Sequence, residues 1–142
     1  MMSTPYSENL QNWLDMLEGG KDLAKLSALI AKDCVFYSPV VHTPQRGQQI
    51  TVMYLYGAAQ VLGVNNSFKY VRILDCGDNA VLEFETEVDG IYINGVDMIH
   101  WNEEGLIDDF KVMLRPLKAV TMVQAKMAEM LEGLKAPAKA GG

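Results

Sequence analysis

Residues 79–115 read NAVLEFETEVDGIYINGVDMIHWNEEGLIDDFKVMLR, and the period of this stretch decides the fold class. From Val81 to Val88, Leu82, Phe84, Thr86 and Val88 alternate with Glu83, Glu85 and Glu87. A period of two puts the two sets on opposite faces of a strand, one dry and one wet. Asp89-Gly90 is a hairpin-turn dipeptide, and Asn94-Gly95 reads as a second one. Residues 96–102 and 106–114 form a further hairpin around Glu103-Glu104-Gly105. Pro116 lacks the N–H that a central strand needs, so the sheet ends there. Upstream, residues 68–74 join this antiparallel run through the turn Cys76-Gly77-Asp78-Asn79.

Before residue 68 the period is helical. Leu10, Trp13, Leu14 and Leu17 lie at i, i+3, i+4 and i+7, one apolar stripe opened at Thr4-Pro5 and stopped by Gly19-Gly20. Asp22 restarts a short helix that buries Leu23, Leu26, Leu29 and Ile30. Cys34-Val35-Phe36-Tyr37 reads as a strand. A loop with Pro39, Pro44 and Gly47 leads to a third helix, Gln48 to Leu62. After Pro116, Val120, Val123, Met127, Met130 and Leu134 recur at spacings of 3, 4, 3 and 4, a heptad seam. Two readings of that helix are open: it packs on its own sheet, or it crosses to a partner and helps lock a homodimer. Helices set apart from antiparallel strands define an α+β fold. With no repeat and no linker, 1–142 reads as one domain: core 7–116, C-terminal helix 117–134, frayed tail 135–142.

The composition narrows the function. Hydrophobic residues are 49% and charged residues 21%, a globular balance that excludes disorder. A net charge of −6 repels phosphate backbones and anionic membranes, so neither nucleic acid nor membrane is an expected partner. No run approaches the ~18 apolar residues of a membrane helix, and the N-terminal stretch has no signal-peptide pattern. Cys34 and Cys76 form no CxxC, which reads as reduced thiols in a cytoplasmic protein. His42 and His100 are the only histidines, so no metal site is expected. There is no GxGxxG, GK[ST] or GxSxG, and no cofactor is expected.

Few side chains can carry chemistry. Asp97 reads either as a turn-stabilising aspartate beside Asn94-Gly95 or as a pocket acid held neutral by apolar surroundings. Alternation puts Asp97, Ile99 and Trp101 on one face and Val96, Met98 and His100 on the other; both faces are apolar enough to line a cavity. His42 is either a solvated loop histidine or a base at a cavity mouth. Asp108 and Asp109 are adjacent, so one of them faces inward unless a bulge intervenes. Trp13, Phe36, Phe84 and Phe110 are core or cavity wall. Tyr54 and Tyr56 cannot share a helix face, and Tyr54 is the one expected inward.

Several pieces in order carry a resemblance. They are Leu17-Glu18-Gly19-Gly20-Lys21-Asp22-Leu23, Asp33-Cys34-Val35-Phe36-Tyr37-Ser38-Pro39, Arg46-Gly47, Asn94-Gly95-Val96-Asp97, and Gly105-Leu106-Ile107 running to Arg115-Pro116-Leu117. Across residues 7–116 the chain resembles the SnoaL-like branch of the nuclear transport factor 2-like superfamily, which includes polyketide cyclases and ketosteroid isomerase-like proteins. The resemblance implies a curved sheet wrapped around a helix-lined conical cavity, with the Asp97 face inward. It implies that Asp97 holds the place of the acid that stabilises an oxyanion. It puts Trp13 where ketosteroid isomerases carry a tyrosine and Ser38 where they carry the carboxylate base. It puts Val112 where limonene epoxide hydrolases, a third reading, carry an aspartate, with no arginine on the strand of Asp97. What it implies for function is binding of a small hydrophobic molecule. Any reaction would be a cofactor-independent isomerisation or cyclisation beside a carbonyl, with Asp97 donating to the oxyanion and His42 or Asp108 moving the proton. Trp13, Phe36, Ser38, Tyr54, Phe84, Phe110 and Val112 would surround the ligand. The alternative is a non-catalytic ligand-binding or dimerisation module.

Overall fold

The computed structural model describes residues 6–20, 22–63 and 66–140, with side chains to Gly133. The elements are α1 (Glu8–Glu18), α2 (Leu23–Leu29), β1 (Ile30–Tyr37), β2 (Gln45–Arg46), α3 (Gln48–Leu62), β3 (Lys69–Asp75), β4 (Asn79–Val88), β5 (Ile91–Trp101), β6 (Ile107–Arg115) and α4 (Leu117–Ala140). One open six-stranded sheet has the order β2-β1-β6-β5-β4-β3. Its neighbours are antiparallel, save for β1 and β6, which run parallel. The sheet curves around the helices to form an α+β cone. Among the described residues no helix is long and apolar enough to cross a membrane.

Capping fixes where the helices begin. Ser7 caps α1, its Oγ accepting from Leu10 N. Asp75, at the end of β3, accepts from Ser7 N and Oγ at 2.6 and 3.0 Å, which ties the start of α1 to the sheet. Thr4 and Pro5 lie outside the described residues. Gly19 closes α1, and Asp22 opens α2 by accepting from Ala24 N and Lys25 N.

Two sequence expectations need correction. Asn94-Gly95 is not a turn but lies inside β5, with Gly95 opposite Phe84 in register. A Cβ on Gly95 would lie 2.5 Å from Phe84 Cζ and 2.6 Å from Met113 O, so the glycine makes room for a ring. Asn94 Nδ2 donates to Glu83 Oε2 and Phe84 O, so tertiary packing overrides local turn preference. Asp108 does not face inward. The β5–β6 register shifts between His100 and Trp101, and Asp108 is the extra residue of that bulge. Ile107 and Phe110 take the buried positions instead.

The heptad seam packs within the chain. Ala119, Val123 and Met127 are buried, and α4 lies on α3, β5 and β6. At Gly57 of α3 a Cβ would meet Met127 Cε and Met130 Cγ at 3.4 Å, so the glycine admits α4 closely. Val123, Met127 and Met130 of the seam thus pack within the parent domain. Leu134's side chain lies outside the described residues. The helix runs to Ala140, with Pro137 inside it although proline disfavours a helix interior.

The Gly95 contact is testable. Gly95→Ala forces the Phe84 ring or the β6 backbone to move, at a cost of about 1–3 kcal/mol. The thermal midpoint should fall by several degrees in calorimetry; an unchanged midpoint would show that the ring has free space beside it.

Candidate functional site

The concave face encloses a cavity of about 310 Å³ between the helices and the sheet. Exposed Gly20, Asp22 and Asn66 belong to its rim. Its walls are aromatic and apolar: Trp13 from α1, Tyr56 from α3, Phe68 just before β3, Tyr70 from β3, Phe84 from β4, Phe110 and Val112 from β6. Phe68 stacks on Phe84 with centroids 4.8 Å apart, and Tyr70 meets Phe68 edge-on at 5.3 Å. Trp13 leans on Phe110 at 5.2 Å.

One carboxyl sits among these rings. Asp97, on the inner face of β5, is 7% exposed and lines the cavity. Tyr70 Oη donates to Asp97 Oδ2 at 2.6 Å, and Trp13 Nε1 donates to Tyr70 Oη at 3.2 Å. Burial pushes the Asp97 carboxyl up to about 7, against the smaller opposing effect of the Tyr70 hydrogen bond. Burial and the Asp97 charge push the Tyr70 phenol well above its ordinary value, so it keeps its proton. The site thus holds a carboxyl that keeps its proton up to near neutrality.

The structure gathers only part of the expected set. Trp13, Phe84, Asp97, Phe110 and Val112 line the cavity. Phe36 and Tyr54 do not. They stack on each other at 5.3 Å behind the wall, with Phe36 supporting Phe110 at 6.0 Å. Tyr56 takes the inward place expected for Tyr54, because two helical residues of separation reverse the side. Ser38 and His42 lie on a different cavity of about 380 Å³ beside Lys111, where Pro39 and Pro44 turn the loop outward. The Ser38 Oγ accepts from Val40 N. Asp108 is bonded to His100 Nδ1 at 2.6 Å on the outer sheet face, a contact that raises the His100 pKa. Neither His42 nor Asp108 therefore meets Asp97. Asp22, on the rim, is engaged in capping α2.

Tyr70 was missed. Phe68 and Tyr70 share a strand face by their spacing of two, which could have marked both as inward. Nothing local says that this face reaches Asp97 two strands away. Among the described residues no group of three or more His, Cys, Asp and Glu side chains could hold a metal ion.

No family model matches the sequence, and a search of curated proteins gives no match. Solved structures do match. A steroid delta-isomerase from Pseudomonas aeruginosa is 33% identical over 94% of this chain and 99% of its own, with a TM-score of 0.83. A protein with a cystatin-like fold from Silicibacter pomeroyi DSS-3 is 31% identical over 86% of this chain and 83% of its own, with a TM-score of 0.72. A structure assigned to the SnoaL-like polyketide cyclases, from Jannaschia sp. CCS1, shares the fold at 13% identity, a TM-score of 0.63, and coverage of 88% and 98%. The chain belongs to the nuclear transport factor 2-like superfamily, which has SnoaL-like members.

The Asp97 burial has a thermodynamic signature. The folded protein holds the Asp97 proton to a higher pH than the unfolded chain does. The resulting stabilisation is complete below the ordinary aspartate range and is lost as pH rises through about 7. At roughly 1.4 kcal/mol per pH unit the loss is of order 4 kcal/mol. Asp97→Asn cannot titrate, so wild-type stability should fall relative to this variant between about pH 4 and pH 7 in urea melts. Parallel pH profiles would show that Asp97 is ionised throughout.

Proposed function

We propose that the cavity binds an apolar carbonyl compound and holds its carbonyl oxygen with the proton of Asp97. One observation carries the reading: a carboxyl buried among aromatic walls, with the proton of its neighbour Tyr70 already directed at it. A neutral acid in an apolar site donates well to a carbonyl oxygen and better to an enolate, where charge has developed. Trp13, Phe84 and Phe110 supply the apolar surface that a small hydrophobic ligand needs. A cavity of about 310 Å³ is at the lower end of small-molecule pockets.

A second reading, isomerisation or cyclisation by proton transfer beside the carbonyl, is favoured by the 33% identity to the steroid delta-isomerase. That chemistry needs a proton acceptor facing Asp97. The Ser38 and His42 positions open on the other cavity, so the acceptor would be water or a group of the ligand itself. For epoxide hydrolysis, Val112 stands where a second aspartate would help, and no arginine lines the cavity among the described residues.

2-Acetylnaphthalene is a suitable probe. It should bind saturably, with its carbonyl stretch moved to lower frequency than in hexane. Asp97→Leu should weaken binding roughly tenfold or more and abolish that movement, the loss of one strong hydrogen bond. An unmoved stretch, or undiminished affinity in the variant, overturns the reading. Deuterium entering the acetyl methyl group in heavy water faster with protein than without would establish the second reading; no acceleration would leave a binding site.

A further inference from the structure

Trp13, Tyr70 and Asp97 form a chain of hydrogen bonds. An indole N–H donates and cannot accept, so Trp13 can only give its proton to Tyr70. Tyr70 then has one proton, and it points at Asp97 Oδ2. While Asp97 is ionised, turning that proton toward a ligand would leave a buried carboxylate oxygen without its donor, which is costly; a protonated Asp97 keeps the same arrangement when its own proton sits on Oδ1, away from Tyr70. In this arrangement Trp13 and Tyr70 have no proton left for a ligand. What a ligand oxygen meets is the remaining capacity of Asp97: a donor when the carboxyl is protonated, an acceptor when it is not.

We propose that Tyr70, locked by Trp13, is a positioning residue that fixes the hydrogen-bond sense of the site, so that the cavity selects a carbonyl oxygen while Asp97 carries its proton and a hydroxyl group once it has lost it. This rests on the carbonyl-binding reading above and extends it to the alcohol that corresponds to each ketone. The surroundings leave Asp97 as the switching group. Its cross-strand neighbours are Leu82 on β4 and Val112 on β6, and neither titrates. Tyr70 faces it from β3 and Trp13 stands behind Tyr70 on α1. Tyr56 from α3 lines the same cavity, and Asp22, before α2, is held at the rim by its helix-capping bonds. Tyr70 also favours the charged form of Asp97 by donating to it, so it sets the pH at which the preference turns over.

The test uses a ketone and its alcohol, 2-acetylnaphthalene and 1-(2-naphthyl)ethanol, with the Asp97 carboxyl followed by carbon-13 NMR and assigned through Asp97→Asn. The wild type should prefer the ketone at about pH 5 and the alcohol at about pH 9, with the crossover at the Asp97 titration. Tyr70→Phe should move both the titration and the crossover upward together, by about one pH unit. Trp13→Phe, which leaves Tyr70 in place, should move them in the same direction by less, and covers the case in which Tyr70→Phe does not fold. Asp97→Asn should remove the pH dependence from both ligands. A folded Tyr70→Phe with titration and crossover unmoved, or a wild type whose preference is the same at both pH values, overturns the inference alone. Failure of both ligands to bind at either pH overturns the carbonyl-binding reading and the inference with it.

Discussion

The hydrogen bond from Tyr70 to Asp97 crosses a whole strand. Tyr70 is on β3, Asp97 is on β5, and β4 lies between them. Neighbouring strands are ~4.8 Å apart, so on a flat sheet the two side chains would rise from bases ~10 Å apart. The 2.6 Å contact therefore needs a concave sheet and a long side chain. The β3–β4 register shifts between Tyr70 and Arg72, a bulge that bends the strand. Gly95, on the same face of β5 as Asp97, leaves room for the Phe84 ring that lines the cavity. Curvature, bulge and glycine together bring the edge strand over the buried acid.

That acid is expensive to bury and the fold answers by neutralising it. An ionised carboxylate with one hydrogen bond in an aromatic cavity is far less stable than in water. The pKa moves up until the proton is retained, and the site gains a donor without any charge to balance. The opposite solution operates at the other end of β3. Asp75 is half-buried, and its desolvation is outweighed by bonds from the Ser7 and Gly77 backbones and the Ser7 hydroxyl, which hold its pKa below the ordinary value. Asp75 thus stays ionised and latches a helix, while Asp97 keeps its proton up to near neutrality inside the cavity.

The fold was legible because its signals are periodic. The alternation of residues 81–88 survives in the structure, and of the α1 stripe Leu10 and Trp13 are buried while Met16 takes the place of the exposed Leu17. Periodicity left both faces of β5 open, and the buried one is that of Asp97, Ile99 and Trp101, which the resemblance implied. What was not legible depends on contacts between distant residues. Asn94-Gly95 has the composition of a turn, yet the glycine answers to Phe84 across the ladder. Asp108 leaves the inner face through a bulge that no local pattern announces. His42 has the right chemistry and the wrong side of a proline-rich loop. Tyr70 lies in a plain strand sequence and acquires meaning only from the register and bend of the sheet.

The apolar Val112 has a consequence for what the proposed site can do. It lies opposite Asp97 in the β5–β6 ladder and borders both the Asp97 cavity and the cavity that holds Ser38 and His42. A proton acceptor in the second cavity would have to reach past this side chain to touch a ligand bound to Asp97. Acid and base chemistry on one ligand requires the two groups within hydrogen-bond reach of adjacent atoms. Here the donor end is built with a supporting tyrosine and tryptophan, while the place for an acceptor is filled by an aliphatic wall. On the proposed reading the chain's own groups hold a carbonyl oxygen, and any proton removed from the carbon beside it leaves by a route that the ligand or water supplies.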